Sequence, residues 1–311
     1  MATLLTLIAP IFVLIGVGFA AVRLGFVSEQ LIQALGGFVL NFALPSLILF
    51  AFLQQDLRET LNWSYVLAYA GGSMAVFLPV LLLMRIGLKR PLPQAAIAAL
   101  GGSSSNSGFV GFPVASLALG APALTALPLS MLVENILVIP LALALAEMGM
   151  HEGQRPGRLV LNTLRRLART PLILAILLGV VLSASGLHLP APLAKALDMM
   201  ADASVPCALF VVGGTLAGLR AGSLATDVSA IVLAKLILHP LAVAGAFLLI
   251  GGVPPGLMAA GIILASSPML TIYPILGARF GYDRVCAAAL LVATTLSFVT
   301  LAGVLAWILP G

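Results

Sequence analysis

Prolines recur along this chain at a constant separation of 161 residues. The five pairs are Pro10 with Pro171, Pro45 with Pro206, Pro79 with Pro240, Pro93 with Pro254, and Pro113 with Pro274. Three glycine pairs have the same offset: Gly18 with Gly179, Gly25 with Gly186, and Gly120 with Gly281. With only 20 prolines in 311 residues, chance predicts less than one such proline pair. The sequence therefore predicts two copies of one structural unit.

The chain is too apolar for a soluble domain. Hydrophobic residues make up 61% of it, charged residues make up 8%, and the mean hydropathy is +1.19. A single soluble core stops growing long before it could bury this much apolar surface. The sequence therefore predicts an all-α membrane protein, and a duplicated membrane unit is typical of secondary transporters.

Ten segments have the roughly 20 apolar residues that a helix needs to cross a bilayer. They are residues 4–22, 30–53, 64–86, 94–119, 123–147, 170–187, 193–219, 228–250, 255–277 and 285–309. Five belong to a first repeat, residues 1–150, and five to a second repeat, residues 151–311. Because an odd number of spans turns the second copy upside down, we expect two inverted five-helix repeats in one membrane unit.

Basic residues are concentrated in the loops after the first, third, fifth, seventh and ninth predicted spans. These loops hold Arg23, Arg85, Lys89, Arg90, Arg155, Arg158, Arg165, Arg166, Arg169, Arg220, Arg279 and Arg284. The opposite side holds only Arg58 and Lys195. The positive-inside rule then places both termini outside the cytoplasm, as expected for a bacterial inner membrane protein. The net charge of +5 is interpreted as topological rather than as a nucleic-acid patch, and the first span as a retained helix.

The fourth and ninth predicted spans are too polar and glycine-rich for regular helices facing lipid. The fourth contains GGSSSNSGFVGFP, which ends at Pro113, and the ninth contains SSPMLTIYP, which ends at Pro274. Each proline removes the helical donor of the carbonyl four residues before it, which predicts free oxygens at Phe109 and Leu270. Both helices are expected to break near the midplane and to cross there, where irregular backbone must face protein or a cavity.

The crossing of these two broken helices is the predicted anion-binding site. A new helix is expected to begin at each proline, and helix N-termini present partial positive charge and unpaired N–H groups. Neither span contains Asp or Glu, so the crossing is expected to be free of acidic side chains. The predicted substrate-binding residues are Ser104, Ser105, Asn106, Ser107, Gly108, Phe109, Pro113, Ser266, Ser267, Thr271, Tyr273 and Pro274. The alternative interpretation is that the small residues only permit tight helix packing.

Ionisable and polar residues inside predicted spans are candidates for coupling or gating, because charge is costly in lipid. Glu134 lies near the predicted midplane beside Asn135, and its alternative role is that of a structural hydrogen-bonded acid. Asn41 and Asp202 each lie four residues before a proline. These two are expected either to flank a cation or to mark packing kinks.

Lys235 and His239, the other two candidates for coupling or gating, share one face of the eighth predicted span. We expect Lys235 to snorkel to the interface, and His239 to be a hydrogen-bonded structural residue rather than a proton relay. An ion pair between Glu134 and Lys235 depends on a helix adjacency that the sequence does not show. Cys207 and Cys286 have no ligating neighbours and are expected to be packing residues, so no metal or cofactor is predicted beyond a coupling Na⁺ or H⁺.

The run from Asn106 to Pro113, followed by Gly120, resembles the signature of the auxin efflux carrier family. Three further segments are similar to that family: APIFVLIGVGFAAVRLGF near the start, DASVPCAL from Asp202, and AAALLVATTLSFVTLAGVL near the end. The resemblance implies a scaffold of the first, second, sixth and seventh spans beside a moving domain of the other six, paired as a homodimer. It also implies that Asn106 and the backbone at the crossing hold a substrate carboxylate. The family includes bacterial malonate and malate carriers, but its members move dicarboxylates, auxin and other acids, so the resemblance does not specify the substrate.

The sequence thus predicts a secondary carrier, not an enzyme, that moves small organic anions by alternating access. Dicarboxylates and auxin-like carboxylates are the expected substrates, carried as a symporter with Na⁺ or H⁺ or without a coupling ion. One alternative is a passive anion channel, which would lack saturation. A second is an intramembrane hydrolase that uses the Gly-x-Ser sequence at residues 101–104 with His239 as its base. The expected partners are the anion, the bilayer and a second copy of the chain, without nucleic acid.

Overall fold

The computed structural model describes residues 2–53, 61–150, 169–185, 189–218 and 225–308. Regular secondary structure in these ranges is helical, with no strand. Most of the predicted linker between the repeats lies outside the described residues. So do Gly186 and the charged residues Arg58, Arg155, Arg158, Arg165, Arg166 and Arg220.

Helices α1 to α6 lie in the described residues up to 150. α1 is Ala2–Arg23, α2 comprises Glu29–Phe38, Val39–Ala43 and Leu44–Leu53, α3 comprises Trp63–Leu82 and Leu83–Gly87, α4 is Leu92–Ser103, α5 comprises Ser107–Gly111 and Phe112–Leu119, and α6 comprises Ala121–Val133, Glu134–Val138 and Ile139–Met150. The fourth predicted span is therefore divided into α4 and α5.

Helices α7 to α12 lie in the described residues from 169 onward. α7 is Pro171–Ser185, α8 comprises Ala191–Asp202 and Ser204–Gly218, α9 comprises Ala225–Leu233, Ala234–Leu238 and His239–Ile250, α10 is Pro255–Ser266, α11 is Tyr273–Ala278, and α12 is Asp283–Ile308. The ninth predicted span is divided into α10 and α11.

Six helices of the described residues are long and apolar enough to cross a membrane. They are Glu29–Phe50, Trp63–Gly87, Ala121–Met150, Ala191–Gly218, Thr226–Ile250 and Asp283–Ile308. Shorter apolar helices lie at Val13–Arg23, Ile173–Leu182 and Pro255–Ser266. The count of ten spans stays a prediction.

Backbone outside regular helix interrupts both spans that were predicted to break. Residues 104–106 separate α4 from α5, and residues 267–272 separate α10 from α11. α11 has Pro274 in its first turn, as predicted. The α-helical part of α5 likewise has Pro113 in its first turn, but a π turn precedes it, so helical backbone resumes already at Ser107.

Four π turns each end two residues before a proline. They are Val39–Ala43 before Pro45, Ser107–Gly111 before Pro113, Glu134–Val138 before Pro140, and Ala234–Leu238 before Pro240. In each case the residue immediately before the proline donates its N–H to the carbonyl five residues before it, as Phe112 does to Ser107. A proline ring clashes with the carbonyl four residues before it in an α-helix, and the wider turn changes that register.

Helices α4 and α10 form the centre of the helix assembly. Every residue from Ala95 to Ser103 is buried, and so is every residue from Ala260 to Ser266. Alanine, glycine and serine dominate both stretches, and such small residues let neighbouring helices approach closely. The two interrupted spans therefore lie inside the protein, where irregular backbone finds protein partners.

Glycines allow α1 and α8 to pack with their backbones in contact. Gly18 lies against the carbonyl of Phe210, and Gly213 lies against the carbonyl of Ile15. Elsewhere α2 packs on α7 and α8, α3 packs on α4 and α9, and α6 packs on α4 and α10. These contacts bring together helices from the two predicted repeats.

Gly120 and Gly281, which are 161 residues apart, have similar positive φ angles. Their φ angles are 67° and 65°, in the region that favours glycine. Each lies just after one of the helices that follow the breaks, α5 and α11. The sequence match at this pair therefore corresponds to a match in φ.

Candidate functional site

The two interrupted spans are joined at Asn106. Its backbone N–H donates a 2.7 Å hydrogen bond to the carbonyl of Pro268, and its side-chain Nδ2 donates one of 2.7 Å to Thr271 Oγ1. Its own carbonyl accepts 3.0 Å bonds from the N–H groups of Val110 and Gly111. Asn106 thus links the two non-helical segments and accepts the first hydrogen bonds of α5.

A cavity of about 270 Å³ lies beside this junction. The predicted substrate-binding residues that line it are Ser105, Asn106, Ser107, Gly108, Phe109 and Thr271. Asn41, Glu134 and Asn135 line it as well. Asn41 donates its Nδ2 to Gly37 O and Asn135 donates its Nδ2 to Met131 O, each at 2.8 Å, so both amides bond to their own helices.

A second cavity, of about 390 Å³, adjoins the first. Leu40, Phe109, Thr271 and Ile272 line both cavities and therefore lie between them. Pro274, another predicted site residue, lines the second cavity only. The two spaces are thus separated mainly by apolar side chains from α2, α5 and the segment before α11.

Glu134 places a carboxylate at the start of α5. Its Oε1 accepts hydrogen bonds from Ser107 Oγ at 2.7 Å, from the Tyr69 hydroxyl at 3.1 Å and from the Ser105 N–H at 3.3 Å. The side chain is only 1% exposed. The expectation of a junction free of acidic groups is therefore wrong, because α6 supplies a carboxylate that neither interrupted span contains.

Lys235 is fully buried, so the expectation that it snorkels to an interface is wrong. Its Nζ contacts Ser105 Oγ at 2.6 Å, His239 Nδ1 at 2.7 Å and the carbonyl of Ala265 at 2.8 Å. An ammonium group has three donors, and here each has a partner. A charge is tolerated in this position because the protein replaces the hydrogen bonds of water.

Ser105 lies between the two opposite charges. Its N–H donates to Glu134 and its hydroxyl accepts from Lys235. No direct ion pair joins Glu134 to Lys235 in the described part of the chain, so the contact that the sequence left open is made through Ser105.

His239 is buried and hydrogen-bonded, as expected for a structural histidine. Its Nε2 lies 3.0 Å from Ser73 Oγ, and its Nδ1 faces the Lys235 ammonium. Ser103 instead donates its hydroxyl to Ala99 O at 2.7 Å. The serine and base that the hydrolase alternative needs are therefore engaged with other groups.

Other predicted site residues point to backbone acceptors instead of the cavities. Ser104 donates to Leu100 O, Ser266 to Ile262 O, Ser267 to Leu264 O, and Tyr273 to Ile97 O. None of these four residues lines either cavity, and neither does Pro113. Asp202 is exposed and lines neither cavity, so only Asn41 of that pair lies beside the junction.

Ion pairs at the helix ends also connect the two predicted repeats. Arg90 Nη2 lies 3.0 Å from Asp227 Oδ1, and the Tyr282 hydroxyl donates to Asp227 Oδ2 at 2.6 Å. Burial raises the pKa of Tyr282, so its hydroxyl stays protonated as a donor. The hydrogen bond to Asp227 likewise raises the pKa of Arg90. Arg279 and Glu147 form a second such pair, at 2.6 Å.

Several residues of this network were missed from the sequence, namely Leu40, Tyr69, Ser73 and Asp227. Tyr69 had a usable signal, because a tyrosine in the middle of an apolar span needs a partner for its hydroxyl. For metals, the described residues contain no cluster of three or more His, Cys, Asp or Glu side chains, and both cysteines are free thiols.

Comparison with known proteins agrees with a membrane function. Residues 3–305 match the family described as "Membrane transport protein". The chain is 30% identical to a Rhizobium meliloti (strain 1021) protein named "Putative malonate transporter", over 315 residues that cover 100% of this chain and 98% of that protein. It is 28% identical to the "Uncharacterized transporter YfdV" of Escherichia coli (strain K12), over 277 residues that cover 83% and 86% of the two chains.

Proposed function

The chain belongs to the membrane transport protein family, that of the auxin efflux carriers, and we propose from this premise that it is a secondary carrier of small organic anions. Family membership makes it an integral membrane transporter rather than an enzyme. The observation that carries the proposal is the cavity beside Asn106. There, an amide donor, two serine hydroxyls and a threonine hydroxyl meet next to a buried ammonium.

The donor set of this cavity suits a carboxylate. The second N–H of the Asn106 amide can donate to its oxygens, and so can the Ser107 hydroxyl when it leaves Glu134. The N-terminus of α5 adds partial positive charge. Lys235 adds a full positive charge one side chain away, through Ser105. α11 has only six residues, so we assign the anion to the α5 side and not to two converging helix ends.

The malonate relative favours a dicarboxylate as the substrate. Its printed name gives malonate, and its sequence is similar to this chain over almost the full length of both proteins. We therefore place short dicarboxylates, with malonate first, at the head of the substrates to be tested.

Alternating access between two helix groups is the proposed mechanism. The packing of α1 and α2 with α7 and α8, and of α3 to α6 with α9 to α12, supports a scaffold and a moving domain. Matched breaks, matched glycine φ angles and the offset of 161 residues support ten spans in two inverted repeats that cross at the breaks. We also propose a homodimer in a bacterial inner membrane, with both termini outside the cytoplasm.

Uptake into proteoliposomes tests this function. Labelled malonate uptake should saturate and should be inhibited by unlabelled malonate, and much less by malonamide or dimethyl malonate, which lack the charge. Hydrogen bonds to charged groups are worth about 1.5–3 kcal/mol each, so loss of the charge should weaken inhibition by roughly tenfold or more. Flux without saturation would indicate a channel, and equal inhibition by acid and amide would contradict an anion site.

A further inference from the structure

Glu134 already uses the hydrogen-bond donors that a substrate carboxylate would need. Ser107 Oγ and the Ser105 N–H both bond to its Oε1, and Glu134 lines the same cavity as Asn106. An anion that enters this cavity therefore meets a fixed carboxylate of its own sign. Two like charges at close range disfavour each other unless one of them takes up a proton.

The groups around Glu134 leave few ways to relieve this repulsion. α3 presents the hydroxyls of Tyr65 and Tyr69, and α9 presents Lys235 and His239. The segment between α4 and α5 contributes only neutral groups, namely the Ser105 N–H and the Ser107 hydroxyl. With Glu134 ionised and Lys235 protonated, the cluster has no net charge and its donors are occupied.

Protonation of Glu134 changes the cluster from neutral to singly positive. The proton comes from water and forms an O–H bond on the Glu134 carboxylate, with no change in the substrate. This scheme keeps Lys235 protonated, because Glu134 is not among its three hydrogen-bond partners. The cavity then presents a net positive charge beside Asn106, which favours an anion.

His239 is less suited to this task than Glu134. Its Nδ1 lies 2.7 Å from the Lys235 ammonium, so a second positive charge there would be repelled. It also lines neither cavity, whereas Glu134 lines the first one.

We propose that Glu134 is the proton-binding group of this carrier, and that one proton binds at Glu134 together with each organic anion. The inference rests on the proposed function, because it assumes an anion in the cavity. It assigns H⁺ as the coupling ion. Lys235 supplies a fixed positive charge beside the anion, so no Na⁺ is needed for that purpose.

Calorimetry on the purified full-length protein tests the inference directly. Malonate is titrated in buffers of equal pH that differ in ionisation enthalpy, so that the heat reports the protons taken up. We expect about one proton per malonate, and an affinity that falls up to tenfold per pH unit between about pH 7 and about pH 9, where carboxylic acids are ionised in water. Replacing Na⁺ with choline should leave the affinity unchanged.

Two acid-to-amide variants provide a matched comparison. Glu134→Gln should bind malonate without proton uptake and with an affinity that no longer varies with pH. Glu147→Gln, at the ion pair with Arg279, should retain the proton uptake of the wild type. If Glu134→Gln does not fold, Tyr69→Phe replaces it. Tyr69→Phe removes one donor from ionised Glu134 and should move the fall in affinity to higher pH.

The outcomes separate this inference from the function on which it rests. Malonate binding without proton uptake, proton uptake that persists in Glu134→Gln, or binding that requires Na⁺ would overturn the proton assignment and leave the anion carrier intact. If neither malonate nor any other short organic acid binds at any pH tested, the proposed function fails, and the proton assignment fails with it.

Discussion

Ser105 determines how a buried positive charge and a buried negative charge share this site. Its N–H faces Glu134 and its hydroxyl faces Lys235, so neither charge requires direct contact with the other. Removing one partner of a buried pair costs about 3–5 kcal/mol, because the other charge stays buried without compensation. Because Ser105 bonds to both side chains, a change in the charge of Glu134 alters the electrostatic environment of Lys235 through these two hydrogen bonds.

Asn106→Ala should impair transport more than folding. The variant loses the bond to Thr271 and the amide donor of the cavity, but keeps the backbone bond to Pro268. A hydrogen bond to a charged group is worth about 1.5–3 kcal/mol, so we expect KM for malonate to rise roughly 10- to 100-fold. Uptake in proteoliposomes measures this. Ser266→Ala is the control, because its hydroxyl bonds to Ile262 O and lines neither cavity. Unchanged KM in Asn106→Ala would place the substrate elsewhere.

Single residues could be selected from the sequence, but their partners could not. Asn106 and Glu134 stood out because polar groups are rare in apolar spans, and both line the cavity. The prediction that Lys235 reaches the interface was wrong, because its depth along one helix does not reveal which neighbouring helices bury it. Its acceptor Ser105 is 130 residues away in sequence. Three serines and one tyrosine that were predicted to bind substrate donate to backbone carbonyls instead. The sequence pattern does not show which acceptor such a side chain finds.

Helix irregularities position the charged residues. Glu134 begins one π turn, Ser107 begins another, and Lys235 is the second residue of a third. Each turn ends two residues before a proline, so the sequence contained a signal for all three. Only Pro113 was interpreted as a helix break. Because a π turn adds a residue to the helical repeat, it rotates the side chains before it relative to those after it.

Gly18→Val should destabilise the contact between α1 and α8. A side chain at Gly18 would meet the backbone carbonyl of Phe210, which cannot move aside as a side chain could. Overpacking of this kind costs typically about 1–3 kcal/mol, so we expect a lower thermal midpoint and a lower yield of monodisperse protein. Gly16→Val is the matched control in the same helix, since nothing lies within 4 Å of a Cβ atom added there. Equal midpoints for the two variants would contradict this packing.

Helix bounds were predicted well where composition changed sharply. Trp63–Gly87 and Asp283–Ile308 agree with the predicted spans 64–86 and 285–309 to within two residues. The broken spans were recognised because polar residues and proline are unfavourable in a lipid-facing helix. The start of α5 was missed because a π turn at Ser107–Gly111 supplies helical hydrogen bonds before the proline.

Bonds between the predicted repeats join α3 to α6 with α9 to α12 at helix ends and at the breaks. Arg90 with Asp227 and Arg279 with Glu147 lie at helix ends, and Asn106 with Pro268 lies at the breaks. Such bonds favour a unit that moves as one body. The sequence could predict the duplication, but not these pairings, because an offset relates equivalent residues and not contacting ones.

Inverted topology makes one further prediction, for residues related by the repeat. Lys89 and Ile250 are 161 residues apart and both are exposed, so equivalent positions should face opposite sides of the membrane. In a background with Cys207→Ala and Cys286→Ala, Ile250→Cys should react with a membrane-impermeant thiol reagent in intact cells, whereas Lys89→Cys should react only after permeabilisation. The basic residues beside Lys89 place that loop in the cytoplasm by the positive-inside rule. Arg284→Cys, in another predicted cytoplasmic loop, should behave like Lys89→Cys and serves as the control for sidedness. If Lys89→Cys and Ile250→Cys react from the same side, the two repeats are parallel. The alternating-access scheme built on their inversion would then have to be abandoned, whatever the substrate.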